Sequence, residues 1–223
     1  MLYILPTPIG NIDDITIRCM KEIQRLSYFI CEDTRQTKKL CNLLHIDYSD
    51  KQFYSLTSFT SQGKLDFYLD LLQKQDIWLM SDAGTPGLSD PGKALVEICN
   101  THKISFTVLP GTNALVPAVV AAGFDSSKFQ FWWFLPKKKG KQTAMREIVS
   151  STCPIFVYES VHRVEKTLRE LKALWFVGKV SMAREVSKMH EQLLTGNIDE
   201  VLAKIEKKEI VLKGEFVLGF ANH

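Results

Sequence analysis

The chain has 223 residues, 45% of them hydrophobic and 24% charged, with 28 Lys/Arg against 25 Asp/Glu for a net charge of +3. That composition excludes a disordered or low-complexity chain, and the length suits one large domain or two of about 110 residues. Five scattered cysteines (Cys19, Cys31, Cys41, Cys99 and Cys153) with no CxxC spacing suggest neither a zinc site nor a disulfide framework, and favour a reducing cytoplasm.

Residues 2–5 form a short apolar strand that ends in PTPIGN, where two prolines and a glycine stop any helix. Asp13, Asp14 or Thr16 can then cap a helix over 17–26. A strand over 28–31 runs into EDTRQT, followed by a helix over 34–44 with Leu40, Leu43 and Leu44 on one face. A third strand covers 53–56. The helix over 61–73 carries a stripe of Leu65, Tyr68, Leu69 and Leu72. The apolar strand 77–80 leads into SDAGTPGLSDPG, then a helix over 93–100. Residues 105–109 make a fifth strand ending in LPGTN, and an alanine- and valine-rich helix runs from Thr112 to Gly123.

Strands alternating with helices over 120 residues predict a parallel, doubly wound sheet. Ligands of such sheets bind outside the carboxyl ends of the strands. PTPIGN, EDTR, SDAGTPG and LPGTN all follow strands, so all four fall on that one rim. SDAGTPGLSDPG is the densest of them. It lacks the Gly-Lys-Ser/Thr of a phosphate-binding P-loop and is not GxGxxG. Its plainer reading is a glycine-rich turn with Asp90 as a helix cap.

A second α/β domain is expected from residue 114 onward, the first spanning 1–113. Its strands cover 129–135 (FQFWWFL), 155–158, 180–183 and 215–220, with helices over 164–175 and 198–205. The strands after Val180 come closer together, which predicts a mixed sheet. Charge divides unevenly: residues 1–123 hold 11 Lys/Arg and 13 Asp/Glu, residues 124–223 hold 17 and 12. A basic second half points to a polyanionic partner. No apolar run approaches the roughly 18 residues a membrane helix needs, and LYILP begins without a basic leader, so a soluble cytoplasmic protein is expected.

The ordered series PTPIGN, EDTRQT, SDAGTPGLSDPG, LPG, FLPKKKGK, YESVHR and AREVSKMHE resembles the bacterial 16S ribosomal RNA 2′-O-ribose methyltransferase family, within the tetrapyrrole methylase superfamily. The resemblance covers essentially the whole chain. It implies a homodimeric two-domain α/β methyltransferase with S-adenosylmethionine folded in an interdomain cleft. By motif, Pro8 and Gly10 would form one wall of the cofactor pocket, Asp82, Ala83 and Gly84 a second, and Thr112, Asn113 and Ala114 a third. Tyr158, Met182 and Ala183 would close over the adenosine. Three segments depart from the family pattern: SLTSFTS after the third strand, Trp132-Trp133 in place of aromatic-Gly, and Gln36 in EDTRQT.

Methyl transfer to a ribose hydroxyl needs alignment, exclusion of water and help in removing a proton. The candidates are Glu159, His162 and Arg163 of YESVHR, with Glu32 and Arg35 of EDTR. Glu32 and Arg35 read equally as a helix-end ion pair, and His162, placed one residue into a helix, reads more readily as a cap or a solvent histidine than as a base. Lys137, Lys138, Lys139 and Lys141, extended by Arg184 and Lys188, suit phosphates of ribosomal RNA in the small subunit. Trp132 and Trp133 can stack on bases, though alternation along a strand favours core or dimer packing. Two other classes stay open: a tetrapyrrole or other small-molecule methylase, and an RNA-binding relative without cofactor affinity.

Overall fold

The computed structural model describes residues 1–88 and 90–222; Ser89, within the glycine-rich motif, lies outside them. The chain divides into two compact units, 1–113 and 114–223.

Unit 1 carries strands β1 (Leu2–Leu5), β2 (Tyr28–Cys31), β3 (Gln52–Ser55), β4 (Ile77–Met80) and β5 (Phe106–Val108) in the order β3-β2-β4-β1-β5. Every pairing is parallel, with Leu5 opposite Met80 and Cys31 opposite Met80 on its two sides. Helices cover both faces, and this explains why IWLM of β4 is apolar at every position. On one face Leu5, Phe29, Trp78 and Met80 pack under α1 (Ile17–Arg25) and α2 (Thr34–Leu43) through Cys19, Ile23 and Cys41. On the other, Ile4, Ile30, Ile77 and Leu79 pack under α3 (Gln62–Lys74) and α4 (Lys93–Thr101) through Tyr68, Leu72, Leu95 and Cys99. The expected doubly wound parallel sheet is present.

Thr16 is the residue that caps α1, its hydroxyl accepting from the Cys19 N–H at 3.1 Å. Asp13 and Asp14 instead sit in a short 3₁₀ turn capped by Asn11. In α2 the buried face is Thr37 and Cys41, with Leu40 and Leu44 beside them; Leu43, expected on the same face, is 57% exposed.

Unit 2 carries α5 (Leu115–Ala122), β6 (Gln130–Phe134), α6 (Lys141–Ser150), β7 (Ile155–Ser160), α7 (Val164–Ala173), β8 (Lys179–Arg184), β9 (Gln192–Asn197), α8 (Ile198–Glu206) and β10 (Glu215–Ala221). The order is β6-β7-β10-β8-β9, parallel between β6 and β7 and antiparallel elsewhere, a mixed sheet. Ile155, Val157, Val180, Met182 and Leu218 pack against Met145 and Ile148 of α6, Leu168 and Leu171 of α7, and Val201 and Leu202 of α8. Strand β9 has no counterpart in the sequence reading. Its QLLTGN alternates half-buried and exposed positions at a sheet edge, so it lacks the apolar run that marks the central strands. The helix expected from Thr112 begins at Leu115.

All five cysteines are free, and four of them are buried. Among the described residues no helix is long and apolar enough to cross a membrane, and no cluster of three or more His, Cys, Asp or Glu is arranged to hold a metal.

Candidate active site at the rim of the parallel sheet

Because β1, β4 and β5 are neighbours, the loops that follow them meet at their carboxyl ends. There they are tied by hydrogen bonds rather than merely adjacent. The Thr7 N–H donates to Gly84 O at 2.9 Å and the Gly84 N–H returns to Thr7 O at 3.0 Å. Thr7 Oγ1 donates to Ser81 O at 3.1 Å, and Ser81 Oγ donates onward to Gly84 O at 3.1 Å. The loop after β5 joins through Thr112, whose hydroxyl donates to Thr7 O and whose carbonyl accepts from Thr85 Oγ1 at 3.1 Å. Gly84 has φ of +81°, a left-handed conformation that a glycine adopts without strain. Gly111 is required for space: a Cβ there would stand 2.6 Å from Pro6 Cβ.

The loop after β2 is tied in as well. The Asp33 N–H donates to Asp82 Oδ1 at 3.0 Å, and the Asp82 N–H donates to Glu32 Oε2 at 3.4 Å. All four rim motifs therefore form one connected structure. Beside it lies a cavity of about 290 Å³, lined by Thr7, Pro8, Gly10, Leu43, Ser81 and Asp82, with Gln36, Thr37 and Lys39 from α2. Leu43 is exposed because it forms the apolar wall of this cavity. Pro8, Gly10 and Asp82 were expected as pocket residues, and the fold brings them together. Ala83, Gly84, Thr112 and Asn113 lie in the same loop network, while Ala114 begins unit 2.

The rim is acidic. Desolvation raises the Glu32 carboxyl above its ordinary value against the opposing Asp82 N–H, and nearby Asp82, Asp90 and Asp33 push it the same way. Asp82 is raised by desolvation too, with Asp33 adding to it. Asp33 behaves oppositely. Arg35 grips it in bidentate fashion, Nη2 to Oδ2 at 2.7 Å and Nε to Oδ1 at 3.0 Å, and its own N–H caps α2 on the same oxygen. These bonds hold Asp33 at about 2. The helix-end ion pair read as Glu32–Arg35 is thus Asp33–Arg35, and among the described residues no cation pairs with Glu32. Asp90 receives the Gly87 and Gly92 N–H groups, closing the glycine-rich loop just before α4.

A raised carboxyl implies a sign for stability. Above its folded pKa, Glu32 carries a charge that the folded state disfavours; the cost disappears as pH falls through that value. Glu32→Gln is therefore expected to be more stable than the parent at pH 7, with the difference shrinking toward pH 4. Urea unfolding at both pH values measures it, and a variant less stable at pH 7 would refute the assignment.

In unit 2 the expected residues separate by burial. Tyr158 is half-buried, its hydroxyl pushed up by burial and by Glu215. Met182 and Ala183 are each 1% exposed, and their backbones are paired within β8 on both sides, so they serve the core. Glu159 is also buried: it accepts from Ser160 N–H and Thr167 Oγ1, both at 2.9 Å, and pairs with Arg163 Nε at 3.2 Å. Arg163 in turn donates to Leu135 O at 2.8 Å. The catalytic expectation for Glu159 and Arg163 gives way to a structural one, since their polar atoms are engaged by each other and by the fold. His162 is exposed in the turn ahead of α7, not inside the helix.

The lysines separate likewise. Lys137, Lys138 and Lys139 are exposed, and among the described residues no acid pairs with them. Lys141 reaches Glu170 at 2.5 Å. Lys188 bridges Glu185 and Glu215 at 2.9 and 2.8 Å. Arg184, 6% exposed, donates to Lys213 O, His190 O and Gln192 Oε1 at 2.7 to 3.0 Å. Arg184 is a buried tie between loops and is not open to a phosphate.

A family model described as tetrapyrrole (corrin/porphyrin) methylases matches residues 1–202. Proteins named ribosomal RNA small subunit methyltransferase I are similar over the full length. The one from Helicobacter pylori strain J99 is 37% identical, covering 100% of this chain and 82% of its own. That from Escherichia coli O157:H7 is 38% identical, covering 100% and 78%. The chain belongs to this methyltransferase family. Its fold is shared beyond the family: a cobalt precorrin-4 methyltransferase of cobalamin biosynthesis superposes with a TM-score of 0.65 at 14% identity, over 98% of this chain and 94% of its own. Family membership accounts for the order of the motifs, and the geometry accounts for their chemistry. The residues missed at the sequence level are the rim ties Thr7, Ser81, Thr85 and Gly111 and the apolar wall Leu43. A hydroxyl residue within a few positions of the carboxyl ends of β1, β4 and β5 (Thr7, Ser81 and Thr112) was the available signal.

Proposed function

We propose that the chain is an S-adenosylmethionine-dependent methyltransferase that methylates a ribose 2′-hydroxyl of 16S ribosomal RNA. The observation that carries the reading is the connected rim beside the cavity that Asp82 lines, in a chain whose relatives over its whole length are named for ribosomal RNA. The donor set fits S-adenosylmethionine. That molecule bears a sulfonium and an ammonium and no phosphate, and Asp82 in the lining, with Glu32 hydrogen-bonded beside it, favours a cation. The cavity lies at the low end of the roughly 300–1,000 Å³ of small-molecule sites, so it suits one portion of the cofactor.

When bound, S-adenosylmethionine supplies an activated methyl group. Pro8, Gly10, Ala83 and Gly84 would bring backbone close to it, Thr112 and Asn113 would fix the loop behind, and Asp82 would accept hydrogen bonds from its hydroxyl or ammonium groups. Glu32, whose carboxyl has no ion-pair partner among the described residues, would accept the proton of the ribose hydroxyl, its raised pKa making it a better base than an ordinary glutamate. Arg35, 89% exposed, would stand beside it toward RNA. His162, Tyr158 and the free lysines 137–139 would serve the substrate side; assembly as a homodimer in the cytoplasm, which the resemblance implies, belongs to the same proposal.

Incubation with methyl-labelled cofactor and unmethylated small ribosomal subunits tests it. Label should enter the RNA and protect one phosphodiester from alkali, as a 2′-O-methyl group does. No label, or label without that protection, would sink the reading. In a calorimetric titration with S-adenosylmethionine, Asp82→Ala should bind at least about tenfold more weakly, a loss of about 1.4 kcal/mol. Unchanged affinity would remove Asp82 from the pocket.

A further inference from the structure

Strand β6 is an edge strand, paired only with β7. The pairing slips within it: Trp132 lies opposite Val157, but Tyr158 is opposite Phe134, leaving Trp133 as an extra residue. Such a bulge re-aims a side chain. Here it breaks the alternation that would have sent Phe134 to the same side as Trp132. Trp132 packs against the unit 2 core. Phe131, Trp133 and Phe134 all gather instead around the Tyr158 ring, with centroids at 5.1, 4.9 and 6.3 Å. Trp133 meets Tyr158 at 74° and Phe134 at 90°, edge to face, so the cluster is braced and not collapsed.

Contiguous exposed aromatic surface, unlike a lone exposed ring, marks an interaction site. Trp133 is 37% exposed and Phe134 46%. Leu135 returns to the core, and Lys137, Lys138 and Lys139 follow at once, all exposed and, among the described residues, without acidic partners. Resting on the RNA reading above, we propose that Trp133 and Phe134, seated on Tyr158, form a stacking platform for an unpaired base of the RNA substrate, with Lys137, Lys138 and Lys139 holding the adjoining phosphates. Base stacking on aromatic rings beside a basic track is how single strands are held without sequence readout. Paired RNA keeps its bases stacked inside the helix and offers no face to such a platform. A second copy of the chain fits the patch less well. A symmetric interface there would bring two lysine loops to the same boundary, a like-charge juxtaposition.

The test measures binding of the full chain to a fluorescein-labelled oligouridylate of about ten nucleotides and to an RNA duplex of the same length. Trp133→Ala should weaken the single strand by about tenfold and leave the duplex unchanged, while Trp133→Phe keeps most of the affinity. Replacing Lys137, Lys138 and Lys139 together by alanine should weaken both. It should also reduce the slope of log affinity against log salt for the single strand by about 2, at roughly 0.7 per lysine. Trp133→Ala binding the single strand as the parent does would overturn the proposal. So would a Trp133→Ala protein that loses only self-association in sedimentation, which would mark the patch as a contact between copies. If the parent labels ribosomal subunits but binds oligonucleotides without regard to Trp133, the platform alone fails. If the parent neither labels subunits nor binds RNA, the functional reading fails with it.

Discussion

Glu159→Ala is expected to cost about 3 kcal/mol of folding stability, among the largest effects of any single change in unit 2. The carboxylate is fully buried, and its partner Arg163 is only 17% exposed. Removing it leaves a guanidinium with one remaining acceptor, Leu135 O, and strands the Thr167 hydroxyl and the Ser160 N–H. Breaking one side of a buried pair is costly because the other charge stays desolvated. Glu159→Gln keeps acceptors for Thr167 and Ser160 and should lose less. Urea midpoints for both variants measure the difference. Arg163 also anchors the carbonyl of Leu135, directly before the lysine loop, so RNA binding should weaken alongside stability. Wild-type stability with turnover abolished would reverse the assignment and restore Glu159 as a catalytic group.

Gly111→Ala is expected to damage the rim itself. The new Cβ would lie 2.6 and 2.8 Å from Pro6 Cβ and Cγ, atoms of a rigid ring that cannot rotate away. The loop after β5 must therefore retreat from β1, carrying Thr112 with it. That strains both the Thr112–Thr7 and the Thr85–Thr112 hydrogen bonds. Overpacking of this kind costs about 1–3 kcal/mol. Affinity for S-adenosylmethionine should fall at least about tenfold if those ties shape the pocket. Gly63→Ala is the control: nothing lies within 4 Å of its Cβ, and the position is helical. It should leave both affinity and stability intact or improve stability slightly. A Gly111→Ala protein that binds like the parent would show the ties to be incidental.

Much of this architecture was legible in the chain. IWLM and LYIL mark strands buried on both faces, and the turn residues after them place the rim. Local pattern does not carry which loop bonds to which. The ties of Thr7 to Gly84 and Thr112 depend on strand order, and β4 inserts between β1 and β2. Arg35 chose Asp33 over Glu32 because Asp33 is the helix cap, with its carboxylate held at the helix start, two residues before Arg35. The burial of Glu159 was readable in principle. In IFVYES it shares a face with Ile155 and Val157, which point into the unit 2 core. Its catalytic attraction came from charge type, and the period of two outweighs that. The opposite failure occurred at Trp133, where a bulge defeats the period and no residue nearby announces it.

The position of β1 has a consequence for how the molecule is made. This strand emerges before the other strands of unit 1, yet its partners β4 and β5 begin at Ile77 and Phe106. At about 5–20 residues per second, β1 waits several seconds or more before either neighbour exists. Its apolar face and open edge need shelter for that interval, and β2 cannot provide it because β4 separates the two. The hydroxyl of Thr112 then closes on the carbonyl of Thr7 across 105 residues of chain. The hydrogen bonds that tie the rim together are thus completed only when the last segment of unit 1 has docked.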